Sequence, residues 1–119
     1  MHNKLKIKRI YENYSEEDGY RILVDRIYPR GVKRETAHID LWLKEIAPST
    51  ELRKWFNHEA EKWEEFKARY FAELEENPAV EIIQEKIASG TVTLLYSARD
   101  TEHNQAVALH EYLVKKLAE

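Results

Sequence analysis

Two short stretches hold most of the side chains able to do chemistry. The first is Asp25-Arg26-Ile27-Tyr28-Pro29-Arg30-Gly31, with Arg34 just beyond it. Three arginines within nine residues suit bidentate clamping of a phosphate or carboxylate. The second is Tyr96-Ser97-Ala98-Arg99-Asp100-Thr101-Glu102-His103-Asn104. Arg99 brings a full charge, Ser97 a hydrogen-bond donor or nucleophile, and His103 a base or a phosphate contact. A helix starting at Asp100 or Thr101 would add free backbone N–H groups and would put His103 in its first turn. Both stretches also have plainer roles. Arg26 can be neutralised by Asp25 or Asp100 in a closed salt-bridge network. Asp100 or Thr101 can simply cap the helix, with His103 exposed. Between the two lie Arg53, Trp55 and His58, the last at a helix end, where an imidazolium is favoured and a C-terminal cap is the simpler role.

Other chemistries find little support. The chain has no cysteine, which removes disulfides, thiol nucleophiles and thiolate metal sites. His38, His58, His103 and His110 show no metal-ligand spacing, and the expectation is a protein with no metal and no cofactor. A serine triad of Ser97, His103 and Asp25 is conceivable, but no nucleophile-elbow glycines flank Ser97. There is no Gly-rich phosphate loop at either stretch.

The charge is unevenly spread. The net charge is -3, yet residues 1–34 hold nine Lys or Arg against five Asp or Glu, and residues 35–119 hold ten against seventeen. Such a chain is not globally built for nucleic acid. Its 119 residues correspond to one domain, 1–119, with enough apolar content for one core. The amino-terminal MHNKLKIKRI lacks the continuous apolar run of a signal peptide, and no stretch is long enough to span a membrane, so the expected location is cytoplasmic.

The elements that must position these residues follow from periodicity. Leu5 and Ile7 alternate with lysines, predicting an edge strand with one wet face. Glu12–Gly19 reads as a turn-rich connection. Ile22-Leu23-Val24 predicts a buried strand that Pro29 and Gly31 close off. Ile39, Trp42, Leu43 and Ile46 have helical spacing. Pro48 breaks the chain, and Ser49 is placed to cap a short helix carrying Leu52, Trp55 and Phe56. Trp63, Phe66, Tyr70 and Leu74 mark a longer helix. Asn77-Pro78 opens another, with Val80, Ile83 and Ile87 inward and Gly90 at its end. Thr91–Tyr96 predicts the second buried strand. The last helix buries Ala106, Leu109, Leu113 and Leu117. Trp42, Trp55 and Trp63 are expected in the core, although one of them could wall a cleft.

Two buried strands joined through helices are most easily parallel neighbours. The expected fold is therefore a small α/β domain with a largely parallel sheet and helices on both faces. Ligands of such sheets bind beyond the carboxyl ends of the strands. The Asp25–Gly31 and Ser97–Asn104 segments would meet there.

The strings DRIYPRGVKRE, LWLKEIAPS, ELRKWFNH, EKWEEFKARY and LLYSARDTEHNQAVAL, spread from about Ile7 to Leu113, resemble the YeaO-like family. These are uncharacterised bacterial and archaeal proteins within a larger domain-of-unknown-function group. The resemblance implies a small cytoplasmic α/β protein and brings no activity with it. Its motif positions fall at Asp25, Arg26, Tyr28, Pro29, Arg30 and Gly31, at Trp42, Pro48 and Ser49, at Leu52, Arg53, Trp55, Phe56 and His58, and at Tyr96, Ser97, Ala98, Asp100, His103 and Asn104.

Three functions compete. The first is a site for an anionic, phosphate- or nucleotide-like small molecule. Arg26, Arg30, Arg53, Arg99 and His103 would hold the anion, and Tyr28, Trp55 or Tyr96 would contact a planar part. Asp25, Ser97, Asp100 and Asn104 complete the candidate ligand-binding set. Catalysis within this reading would fall to His58, His103 or Ser97. The second is nucleic-acid binding through the basic amino-terminal third. The third is a protein-interaction module using the basic edge strand at Lys4–Arg9 and exposed aromatics.

Overall fold

The computed structural model describes residues 4–119. Its sheet grows from the most apolar run of the sequence. β4 (Val92–Tyr96) is buried along its whole length, as a central parallel strand should be. It lies between β1 (Leu5–Arg9) and β2 (Tyr20–Leu23), and a two-residue strand, β3 (Leu41–Trp42), completes the order β1-β4-β2-β3. Every pairing is parallel, with Ile7 beside Leu94 and Leu94 beside Ile22. The expected pair of adjacent, parallel central strands is present. The Val24 amide still reaches the Leu95 carbonyl at 3.0 Å, so the β2–β4 contact continues to the edge of the site.

Side-chain alternation divides the core between the two faces. Ile22, Val92, Leu94 and Tyr96 join the apolar faces of α2 (Thr50–Phe56), α3 (Trp63–Glu75), α4 (Ala79–Ser89) and α5 (Gln105–Ala118). Leu23 and Leu95 turn the other way, onto Ile10 and Ile39, with Val32, Ala37 and Trp42 packed around them. That face carries one short helix, α1 (Arg34–Ala37), within an otherwise irregular segment. Helices thus flank both faces unequally.

Four expectations are corrected. The helix read over Ile39–Ile46 is absent. The chain there forms β3 and then a 3-10 turn over Lys44–Ile46. The Asp40 carboxylate accepts the Arg21 amide at 2.8 Å and Leu43 N bonds Leu23 O at 2.9 Å, so pairing with β2 overrides local spacing. Leu117 is not buried but 53% exposed, in the last turn of α5. The lysine face of β1 is not simply wet, because the connection at 13–18 crosses it. Lys8 Nζ meets Asn13 O at 2.6 Å and Asp18 Oδ2 at 3.0 Å, and Thr93 Oγ1 donates to Asp18 O at 2.7 Å. The fourth correction, the start of α5, belongs to the site.

Gly19 closes this connection at φ +66. A Cβ there would lie 2.2 Å from the Thr91 carbonyl oxygen, so both conformation and space require glycine.

Candidate functional site

At the carboxyl ends of β2 and β4 the chain opens into a cleft of about 770 Å³. Its wall on the β2 side is Asp25, Arg26 and Ile27. The Trp42 indole N–H donates to the Asp25 carbonyl at 2.7 Å, so the edge strand pins the end of β2. The Asp25 side chain then ties β2 to the opposite wall. Its Oδ2 accepts the Ser97 amide at 3.1 Å and the Ser97 hydroxyl at 2.6 Å, and its Oδ1 accepts Gln105 Nε2 at 2.6 Å. All three donors are neutral, and no cation among the described residues pairs with this carboxylate. Burial pushes its pKa up, and the bonds from Ser97 and Gln105 offset only part of that rise.

The β4 side is the turn from Ser97 to Asn104. Arg9, at the end of β1, donates from Nε to Ala98 O at 2.9 Å and from Nη2 to Ser97 O at 3.1 Å, holding the turn from below. The Asp100 carboxylate accepts the amides of Glu102 and His103 at 2.9 and 3.0 Å, and contacts His103 Nδ1 at 3.0 Å. These backbone bonds imitate a helix cap, but the helix does not begin there. Asn104 is the true N-cap, accepting Val107 N at 3.0 Å, and α5 starts at Gln105. His103 therefore precedes the helix, and packs edge-on against Trp63 with centroids 5.4 Å apart.

The third wall is α2 and the turn after it. Ser49 caps α2 as expected, accepting Leu52 N at 3.2 Å, and its hydroxyl donates to Glu73 on α3 at 2.6 Å. The Tyr70 hydroxyl donates to Ile46 O at 2.6 Å. Helix α3 thereby fixes the segment that presents Pro48, Arg53, Lys54 and Phe56 to the cleft. Asn57 and His58 follow in left-handed conformations, φ +48 and +57, and turn the chain along its rim.

Of the residues singled out from sequence, Asp25, Arg26, Arg53, His58, Ser97, Arg99, Asp100 and Asn104 line this cleft. The others lie elsewhere. Tyr28 packs across Trp42 on the far face of the sheet, with centroids 5.3 Å apart. Trp55 is half-buried against the core, with Arg69 and Lys62 over its ring. The Tyr96 side chain is within the core. Arg30 and His103 are not on the lining. Ser97 bonds Asp25 and His103 bonds Asp100, so the three do not assemble as a triad. Lys54, Asn57, Gln105, Ile27, Phe56 and Phe66 line the cleft without having been singled out as ligand contacts. Only Lys54 and Asn57 had a usable signal, their position beside Arg53 and His58.

Four Arg or Lys side chains face two carboxylates on this lining, in a chain whose net charge is -3. Arg26, Lys54 and Arg99 have no ion-pair partner among the described residues, and Arg53 bonds only Pro48 O and Thr50 Oγ1. Such an arrangement can attract and clamp an anion. Among the described residues no group of three His, Asp or Glu is disposed to hold a metal ion, and no helix is long and apolar enough to cross a membrane.

A parallel four-stranded sheet with this strand-end cleft defines a small α/β protein, and its family follows from comparison. The chain belongs to the inactive DUF488-N3 subclade, whose model matches residues 4–119. It is 44% identical over 110 residues to the uncharacterized protein YeaO of Escherichia coli, covering 92% of this chain and 96% of that one. It is 34% identical over 110 residues to the uncharacterized protein Rv3073c of Mycobacterium tuberculosis, covering 92% and 93%. No solved structure matches.

Proposed function

We propose that the cleft binds a small phosphate-bearing anion and does not turn it over. One observation carries this reading: Arg26, Lys54 and Arg99 converge on the cleft from three different elements and are unpaired there. Unpaired cations on a concave surface raise the local concentration of anions and suit phosphate oxygens. The absence of turnover is supported by the family's standing as an inactive subclade, and by the histidines. His103 is held by Asp100, and neither it nor His58 bonds Ser97.

Thermal unfolding with inorganic pyrophosphate tests the reading. Arg26 is exposed and bonds nothing among the described residues, so Arg26→Ala is expected to melt with wild type while losing the shift that pyrophosphate gives. A variant destabilised on its own, together with an unshifted wild type, overturns the proposal.

Nucleic-acid binding is less favoured. Lys6, Lys8, Arg9 and Arg21 of the basic amino-terminal third are already committed to internal partners.

A further inference from the structure

We infer that the cleft reads a nucleotide base, with Asp25 accepting an N–H of the base and Ile27, Pro48 and Phe56 contacting its faces, while the rim cations hold the phosphate. This rests on the anion-binding reading above and narrows it to nucleoside phosphates.

Asp25 carries the argument. Its residue is only 7% exposed, it lines the cleft, and among the described residues its carboxylate is met by three neutral donors and no cation. A carboxylate offers about four acceptor positions. Oδ2 uses two of them on Ser97, and Oδ1 uses one on Gln105, leaving one acceptor position on Oδ1. A ligand that was only an anion would find no partner in this group. A ligand with a neutral N–H donor some distance from its phosphate satisfies it.

The second observation is apolar. Ile27, just beyond the end of β2, is 72% exposed and lines the cleft. Phe56 stacks on Phe66 at 4.3 Å in the core, and only their edges, 5% and 2% exposed, reach the lining. Inorganic phosphate would use none of this surface, whereas a planar heterocycle would cover Ile27 and lie against the aromatic floor.

The experiment compares four ligands by calorimetry: AMP, GMP, purine riboside 5′-monophosphate and ribose 5-phosphate. Purine riboside monophosphate keeps the planar ring but has no N–H on it. In wild type, AMP or GMP is expected to bind at least fivefold tighter than purine riboside monophosphate, and that tighter than ribose 5-phosphate. Asp25→Asn should erase the first gap, because its amide can be held by Gln105 and Ser97 with the acceptor turned away. Ile27→Ala, at an exposed position that cannot compromise folding, should shrink the second. Equal binding of all four, with every affinity lost in Arg26→Ala, overturns the base reading and leaves anion binding standing. Failure of all four to bind overturns both.

Discussion

Asp18 and Asp25 are both nearly inaccessible, yet they titrate in opposite directions. Burial alone would raise the Asp18 pKa. The bond from Lys8, the Ser15 amide, the Arg21 guanidinium and the Lys8 charge outweigh burial and hold it below the ordinary carboxylate range. Its contribution to stability is present above the pKa of the unfolded chain and is lost as pH falls through the lowered value. Among the described residues Asp25 has only neutral partners, so burial wins and the pKa rises. Its contribution is full below the unfolded pKa and declines as pH rises through the folded one. Urea midpoints measured from pH 3.5 to 7 should therefore move in favour of Asp25→Asn, relative to wild type, as pH increases. Asp18→Ala has the opposite profile and a larger cost at neutral pH. It strands the Arg21 guanidinium, 1% exposed, without a carboxylate, and a buried charge left so typically costs about 3–5 kcal/mol. An Asp18→Ala midpoint equal to that of wild type at pH 7 would show that the carbonyls of Ala37 and His38, which also bond Arg21, suffice.

At the scale of elements, α2 shows how capping and function are coupled. Ser49→Ala removes the acceptor of Leu52 N and the donor to Glu73 together. It should lower stability by about 1–2 kcal/mol in chemical denaturation and also weaken pyrophosphate binding, because α2 presents Arg53 and Lys54. Glu73→Gln keeps the cap and should lose less. Legibility in sequence follows the same lines. The stripe Trp63, Phe66, Tyr70, Leu74 belongs to a helix packed on the sheet, so period and burial agree and α3 was readable. Residues 39–46 have helical spacing too, but Leu41 and Trp42 pair with β2, a partner about 19 residues away that periodicity cannot show. Asp100, one of the two caps expected beside Thr101, and Asn104, the cap observed, lie four apart. Each takes backbone amides, and only tertiary contacts decide which one begins the helix. The cleft itself was legible because a parallel crossover brings two strand ends together. The contact between Asp25 and Gln105, across 80 positions, leaves no local trace.

For the whole molecule, the decisive quantity is where the positive charge goes. The amino-terminal third has an excess of cations, but several of them secure the connection at 13–18, the Ser97–Ala98 turn and the buried Asp18. What remains unpaired at the cleft is a small positive region on a molecule of net charge -3. Salt separates this from a nucleic-acid surface. A protein neutralising six to ten phosphates loses roughly 10³–10⁵ in affinity between 50 and 200 mM salt. Three unpaired cations in one cleft can release far fewer counterions, and the molecule's overall negative charge opposes a polyanion. Raising NaCl over that range should therefore weaken pyrophosphate binding by no more than about fortyfold, again on counterion-release arithmetic. Arg26→Ala should flatten the slope by nearly one charge, and duplex DNA should show no binding at 150 mM salt. A slope as steep as that of a DNA-binding protein, unchanged in Arg26→Ala, would move the functional surface away from the cleft to the cations of the amino-terminal third.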